Sequence, residues 1–232
     1  MPLILNIDTA TEHASICISR GGTVIAMVES SEQKNHASFV QPAIRQVLQE
    51  NHLSLADIDA VAVTIGPGSY TGLRVGLASA KGICYALNKP LLAINTLQVM
   101  AQAALDDCRL NQLDITAETL FCPLIDARRM EVFTALYNSS LQEIEAPHAL
   151  IVDAFSFQLL YQYQQVVFSG SGYQKIKAFL SNPNAVYAAI QHNASHLAKQ
   201  ALLAYQSAHF ADLAYCEPLY VKEFFDTSKA KG

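Results

Sequence analysis

The stretch from Ile58 to Leu87 limits most severely what this chain can fold into. Ile58–Ile65 is a largely apolar run of strand length, interrupted by Asp59 and Thr64, and such a run reads as a central strand covered on both faces. Gly66-Pro67-Gly68 follows, and glycines flanking a proline suit a tight turn out of a buried strand. Thr71 to Leu87 then reads as a helix, with Ser69 or Thr71 placed to cap it by accepting from its first N–H groups. Such a helix start can hold an anion, and it serves equally as an ordinary strand–helix turn. It is not a Walker loop, because the required Lys-Ser/Thr pair is missing. Within the helix Gly72, Gly76 and Ala80 recur at i, i+4, i+8, and Ser79, Gly82 and Ala86 form a second small stripe. An interior glycine costs roughly 1 kcal/mol relative to alanine. Its retention asks for the close approach of another helix, from this chain or from a second subunit.

Around that unit the hydrophobic periodicity places further elements. Leu3–Asp8, Ala14–Ser19 and Val24–Glu29 read as strands, Ala37–Asn51 as a helix carrying Pro42, Leu91–Asn95 as a strand and Leu97–Leu105 as a helix. The order βββαβαβα is that of one ribonuclease-H-like half of the actin-like ATPases. Ile7-Asp8-Thr9-Ala10 has an echo at Ile125-Asp126-Ala127-Arg128, followed by a strand at Val132–Tyr137. A helix over Asp153–Gln162, a strand at Val166–Ser169, a short helix and a long one over Ala194–Ser207 complete the second half. The expectation is an α/β protein with the actin-like (ribonuclease-H-like) fold and two lobes, the second smaller and degenerate. Residues 1–105 form the first lobe and 106–190 the second; residues 191–232 are a C-terminal helix and tail packing back on the first.

A chain of 232 residues that is 51% hydrophobic can bury a large core without covalent staples. The five cysteines are scattered and never spaced C-x-x-C, which fits a reducing compartment better than a disulfide framework or zinc site. With no secretory leader pattern and no membrane-length apolar run, the expected location is the cytoplasm. Net charge is −5 and no cationic cluster precedes the last dozen residues, so contact with a nucleic acid is expected only through a partner.

Several constellations bear on chemistry. Asp8-Thr9-Ala10-Thr11 keeps the aspartate that an actin-like ATPase uses in its first hairpin, but alanine stands where glycine admits a phosphate. Gly170-Ser171-Gly172 after a strand is a second weak candidate for nucleotide contact, and Asp8 serves equally as a structural carboxylate. His192-Asn193-Ala194-Ser195-His196 has metal-ligand spacing but lacks the glutamate of a metalloprotease, and surface histidines are the better reading. No G-x-S-x-G elbow accompanies Ser69. Asp126, Arg128 and Glu131 read either as an ion-paired link between lobes or as plain surface charge.

IDTAT at Ile7–Thr11, NHASFVQPAI at Asn35–Ile44, GPGSYTGLRVGLASAKGICYAL at Gly66–Leu87 and IDARRMEVF at Ile125–Phe133 together resemble the TsaB family, strongly over the first half and patchily after Asn138. The resemblance implies a non-catalytic subunit of the machinery that places a threonylcarbamoyl group on the adenosine beside the anticodon of tRNA. Its implied partners are the catalytic paralogue TsaD, the small ATPase TsaE, a second copy of itself when alone, and tRNA only through the complex; no membrane is involved. The helices over His36–Leu48 and Thr71–Ala86 are implied in the subunit contact. That nominates His36, Phe39, Val40, Ala43, Val47, Thr71, Gly72, Val75, Gly76, Ser79, Ala80 and Gly82. The catalytic paralogue carries a His-x-x-x-His metal pair where this chain has Thr96 and Met100. No catalytic residue, metal or cofactor is therefore assigned. The chief alternative is a nucleotide-binding ATPase or kinase of the same fold; a metallo-glycoprotease and a stand-alone homodimer are the others.

Overall fold

Three strands open the chain: β1 (Leu3–Asp8), β2 (Ala14–Arg20) and β3 (Thr23–Ser30) form an antiparallel meander in a computed structural model that describes residues 1–31, 36–177 and 183–222. The apolar run becomes β4 (Ala60–Gly66), which pairs parallel to β1 with Ile4 opposite Ala60, and β5 (Leu91–Asn95) pairs parallel to β4. The first sheet therefore has the order β3-β2-β1-β4-β5. Helix α1 (His36–Gln49) follows the meander, α2 (Tyr70–Leu87) connects β4 to β5, and α3 (Thr96–Leu110) leaves β5. Asn35 lies outside the described residues.

The second sheet contains β6 (Thr119–Asp126), β7 (Glu131–Asn138), β8 (Glu143–Ile151), β9 (Gln165–Ser169) and β10 (Ala185–Ala188), in the order β10-β9-β6-β7-β8. Read from β8, this is the order and strand direction of the first sheet, with an antiparallel meander and two parallel additions. The four-residue echo at Ile125–Arg128 thus marks a repeated topology, with Asp8 and Asp126 both at the end of their lobe's first strand. Helix α4 (Tyr173–Lys177), between β9 and β10, stands in this order where α2 stands in the first.

Two strands and one non-helix depart from expectation. The segment Glu143–Ile151 carries two glutamates and Pro147, a poor strand former by composition, yet it pairs with β7 as an edge strand, where charge and proline are tolerated. β10 is only 4 residues long and is held by its ladder to β9. The helix expected over Asp153–Gln162 reduces to a 3-10 turn at Gln158–Gln162. Asp153 Oδ1 accepts from Phe155 N at 2.8 Å and from Ser156 Oγ at 2.8 Å, and this local turn competes successfully with helix winding.

Alternation along β1 divides the core. Leu5 and Ile7 face α1 and α2, packing with Ile16, Ile18, Val40, Ile44, Val47 and Leu77. Ile4 faces the other way, with Ala62, Leu92, Ile94 and Val99, against Leu197 and Ala201 of α5 (Ala194–Gln206). Helix α3 serves both lobes: Val99 meets the first sheet, while Leu97, Met100, Ala101, Ala104 and Leu105 meet Phe121, Ile125, Tyr137 and Val167 of the second. A boundary at residue 105 falls inside this helix. A buried hydrogen bond from Gln200 Nε2 to Gln102 Oε1 (2.8 Å) joins α5 to α3. Beyond α5 the chain runs along the first lobe and reaches the second: Ala211 N donates to Leu91 O (2.8 Å), Leu219 N to Ile65 O (2.7 Å), and Lys222 pairs with Glu131 (2.7 Å).

Candidate partner face and the closed cleft

The β1–β2 turn, which follows the aspartate of the first hairpin, packs directly on the start of α2. Ser69 caps α2, its Oγ accepting from Gly72 N at 3.3 Å, and Ser69 N donates to Ala10 O at 2.7 Å. A Cβ added at Gly68 would overlap Ala10 O, and one at Gly72 would overlap Thr9 O. Two carbonyl oxygens of the β1–β2 turn thus lie against the positive end of α2, where an anion was a possible guest. The glycines at 68 and 72 permit that approach.

Asp8 is sealed, with 1% of its surface exposed. Its Oδ1 accepts from Thr64 Oγ1 (2.9 Å) and Ala10 N (3.2 Å). Its Oδ2 faces His192 Nε2 at 3.4 Å, ion-pair distance without hydrogen-bond geometry. His192 is therefore a buried neighbour of Asp8 and not a surface residue. His196, its partner in the His-x-x-x-His spacing, instead accepts from Asn193 N through Nδ1 (3.1 Å) and completes the cap of α5. The second-lobe glycines are likewise occupied. Gly170 (φ +86°) lies against Leu124 O and the Met100 methyl, and Gly172 against Leu124 and Val132. These glycines let side chains and backbone close up, a packing duty that sequence spacing does not distinguish from phosphate contact.

The two small-residue stripes of α2 differ in burial. Gly72, Gly76 and Ala80 are buried on the chain's own sheet, and a Cβ at Gly76 would overlap Thr9 Oγ1, which donates to Gly72 O at 2.8 Å. Val40, Ala43 and Val47 of α1 are buried in the same core, and His36 is buried at the helix start. The other stripe is open. Gly82 is exposed and a Cβ there would meet nothing within 4 Å. Together with Gln41, Leu55, Ala78, Ser79, Ile83, Ala86 and Leu87 it lines a shallow groove of about 510 Å³ between α1 and α2. Gln41 Nε2 donates to Ser79 Oγ (3.2 Å) across the two helices. Of the nominated contact residues, Phe39, Thr71, Val75, Ser79 and Gly82 retain exposed surface. His36, Val40, Ala43, Val47, Gly72, Gly76 and Ala80 are covered within the chain. Ala78, Tyr85 and Ala86, within the nominated range Thr71–Ala86 though not singled out, are also exposed on the open face, and Ala78, Gly82 and Ala86 stand at four-residue spacing.

A family model described as TsaD, tRNA N6-adenosine threonylcarbamoyltransferase, matches residues 23–224. This chain belongs to that family. Relatives place it in the TsaB branch. The Bacillus subtilis tRNA threonylcarbamoyladenosine biosynthesis protein TsaB is 29% identical over 197 residues, 82% of each chain. The Escherichia coli protein of the same name is 38% identical over 135 residues, 58% of this chain and 54% of that one. Among solved structures, YeaZ from Pseudomonas aeruginosa aligns with a TM-score of 0.78 at 25% identity, over 95% of this chain and 100% of that one. A candidate N-acetylmannosamine kinase from Listeria monocytogenes, at TM-score 0.51 and 9% identity over 89% of this chain and 99% of that one, shares the fold alone. The two-lobed, actin-like α/β fold is thus the fold of this chain.

Within the TsaB branch the positions of Thr96 and Met100 acquire meaning. Thr96 is buried and its Oγ1 accepts from Gly66 N (3.1 Å), while Met100 packs between the lobes against Gly170. Both side chains are committed to the fold. Among the described residues no group of three or more His, Cys, Asp or Glu side chains is gathered as a metal site. No helix among them is long and apolar enough to cross a membrane. At the β6–β7 turn Asp126 Oδ1 accepts from Arg128 N (2.6 Å) and pairs with Lys175 Nζ (2.6 Å). Partial burial disfavours its charge, but the Lys175 ammonium and the Arg128 N–H outweigh it and hold the carboxyl below its ordinary range. Glu131 pairs with Lys222 at 2.7 Å, so the Asp126–Glu131 segment does carry ion pairs, one of them to the C-terminal segment.

Proposed function

We propose that this chain is a non-catalytic subunit of the tRNA threonylcarbamoyladenosine machinery, pairing with a TsaD-type catalytic subunit through the open faces of α1 and α2. The relatives' names, tRNA threonylcarbamoyladenosine biosynthesis protein, supply the process, and they speak for neither proteolysis nor kinase chemistry. The observation that carries the docking face is Gly82. It sits inside α2, exposed, with no contact that a Cβ would disturb, so its cost to the helix has no return within the chain. A partner helix lying on Ala78, Ser79, Gly82 and Ala86 supplies the return, because small residues let two backbones come close. Tyr85, 84% exposed, offers the large apolar contact expected at such a junction.

Support for the non-catalytic reading comes from the closed cleft: Asp8 engages Thr64 and His192, and Thr9 and Ala10 carbonyls lie on the start of α2. A TsaE-type ATPase is the further partner, and the same α1–α2 face serves for self-association when the catalytic subunit is lacking. The working location is the cytoplasm. The test is Gly82→Arg, which fills open space and leaves the core alone. The expected result is a folded protein that no longer co-purifies with the TsaD-type subunit and no longer supports threonylcarbamoyl transfer. Undiminished association would overturn the docking face.

A further inference from the structure

Net charge of −5 hides a local excess of the opposite sign. Where the C-terminal segment joins the lobes, five cationic side chains gather from four parts of the chain. They are Arg74 of α2, Arg128 and Arg129 of the β6–β7 turn, Lys175 of α4 and Lys222. Lys222 binds Glu131 through both carboxylate oxygens (2.7 and 2.8 Å), and Lys175 binds Asp126. These seven side chains sum to +3, and the surplus resides in the three arginines. Among the described residues no carboxylate pairs with Arg128 or Arg129, and both are exposed.

The aromatic surroundings are as specific as the charge. Arg74 Cζ lies 3.8 Å from the Tyr70 ring centroid and 5.9 Å from that of Tyr220, and Arg74 Nε donates to Tyr220 Oη at 2.9 Å. The two rings are 5.6 Å apart, and each keeps about two-fifths of its surface exposed (41% and 38%). Tyr220 stands two residues before Lys222, so this stack and the arginine turn adjoin. The turn itself is costly in conformation. Arg128 (φ 70°) and Arg129 (φ 48°) are consecutive left-handed residues where glycine or asparagine would fit without strain. Strain held at an exposed turn by two cations that no carboxylate among the described residues pairs points to a ligand for those cations.

Guanidinium groups beside flat, half-exposed rings suit one class of ligand best: a polynucleotide, whose phosphates take the arginines and whose bases stack on the rings. We propose that Arg128 and Arg129, with the Tyr70–Arg74–Tyr220 stack beside them, form a direct contact of this chain with the phosphate backbone of the tRNA substrate. This rests on the functional reading above, and it goes beyond it by giving the non-catalytic subunit its own share of RNA binding.

The test uses the reconstituted complex with the TsaD-type subunit and unmodified tRNA, comparing wild type with Arg128→Glu/Arg129→Glu and with Arg128→Gly/Arg129→Gly. The glycine pair removes charge and relieves the left-handed backbone together, so it is expected to melt higher than wild type while binding RNA more weakly. For both variants the proposal expects unchanged association with the catalytic subunit and a tRNA Kd raised about tenfold or more at 100 mM salt. It also expects a slope of log K on log salt reduced by roughly 1 to 2, and a higher KM for tRNA at constant kcat. Unchanged affinity and slope in an assembled complex would overturn the RNA contact and leave the subunit role standing. Loss of subunit association in the variants would overturn it in favour of a protein interface at this turn. Failure of wild-type protein to associate with the catalytic subunit would sink the functional reading itself, and this proposal with it.

Discussion

A single carbon added at position 76 and at position 82 of α2 moves stability in opposite directions. Both are interior helix glycines, so alanine brings each the same propensity gain of about 1 kcal/mol. At 82 nothing opposes that gain, because the new methyl meets no atom within 4 Å. At 76 the methyl collides with Thr9 Oγ1 and touches Val63 and Ile7. Thr9 is fully buried and must turn away, giving up its 2.8 Å hydrogen bond to Gly72 O. Overpacking costs about 1–3 kcal/mol and an unsatisfied buried hydroxyl about 1–3 more, for a net loss of about 1–5 kcal/mol after the propensity gain. For a chain of this size each kcal/mol is worth about 2–4 °C of Tm. Scanning calorimetry is therefore expected to show Gly82→Ala melting roughly 2–4 °C above wild type and Gly76→Ala roughly 2–20 °C below it. A Gly76→Ala protein melting at or above wild type would refute the inward assignment of that stripe.

Three further outcomes are open to measurement. Burial holds the His196 imidazole below its ordinary value of 6.5, and its Nδ1 must be unprotonated to accept from Asn193 N. The unfolded chain then binds the proton more readily, so stability is full above pH 6.5 and falls as pH drops through the folded value; urea midpoints from pH 7.5 to 5 will show this slope, flattened in His196→Gln. Burial pushes the thiols of Cys17 and Cys122 up to about 12 and those of Cys84 and Cys108 to about 11. A thiol reagent at pH 8 is expected to label only half-exposed Cys216 quickly in native protein and all five in urea; rapid labelling of Cys17 or Cys122 without denaturant would contradict their burial. Gly170→Ala forces a side chain into φ +86° against Leu124 O, and a fall of at least about 1 kcal/mol in stability is expected with no change in the heat of mixing with ATP and magnesium. A Gly170→Ala protein as stable as wild type would show that the close packing at this turn is not needed.

Local pattern was enough for the elements whose environment is written into their own residues. Ala60–Val63 is apolar on both faces, which makes Ile58–Ile65 a central strand, and β4 pairs on both sides. The alternation and turns of the first thirty residues specified a meander, and Ser69, one of the two caps the sequence offers for α2, does accept from Gly72 N. The signature segments likewise led to the TsaB branch. Glu143–Ile151 and Ala185–Ala188 were not legible as strands, because their ladders to β7 and β9, and not their composition, decide their conformation.

The direction of a face belongs to tertiary structure. A glycine records that something comes near, and the same residue type answers to a buried threonine at 76, a backbone carbonyl at 72 and empty space at 82. Asp8 and His192 lie 184 positions apart, and only the return of α5 onto the first sheet brings them to 3.4 Å. The arginines of α2 and of the β6–β7 turn look like isolated charges along the chain; the C-terminal segment that binds Arg74 at one point and Glu131 at another makes them neighbours. Periodicity reports how a residue relates to those within a few turns of it, while charge density and burial are sums over everything that folding brings close.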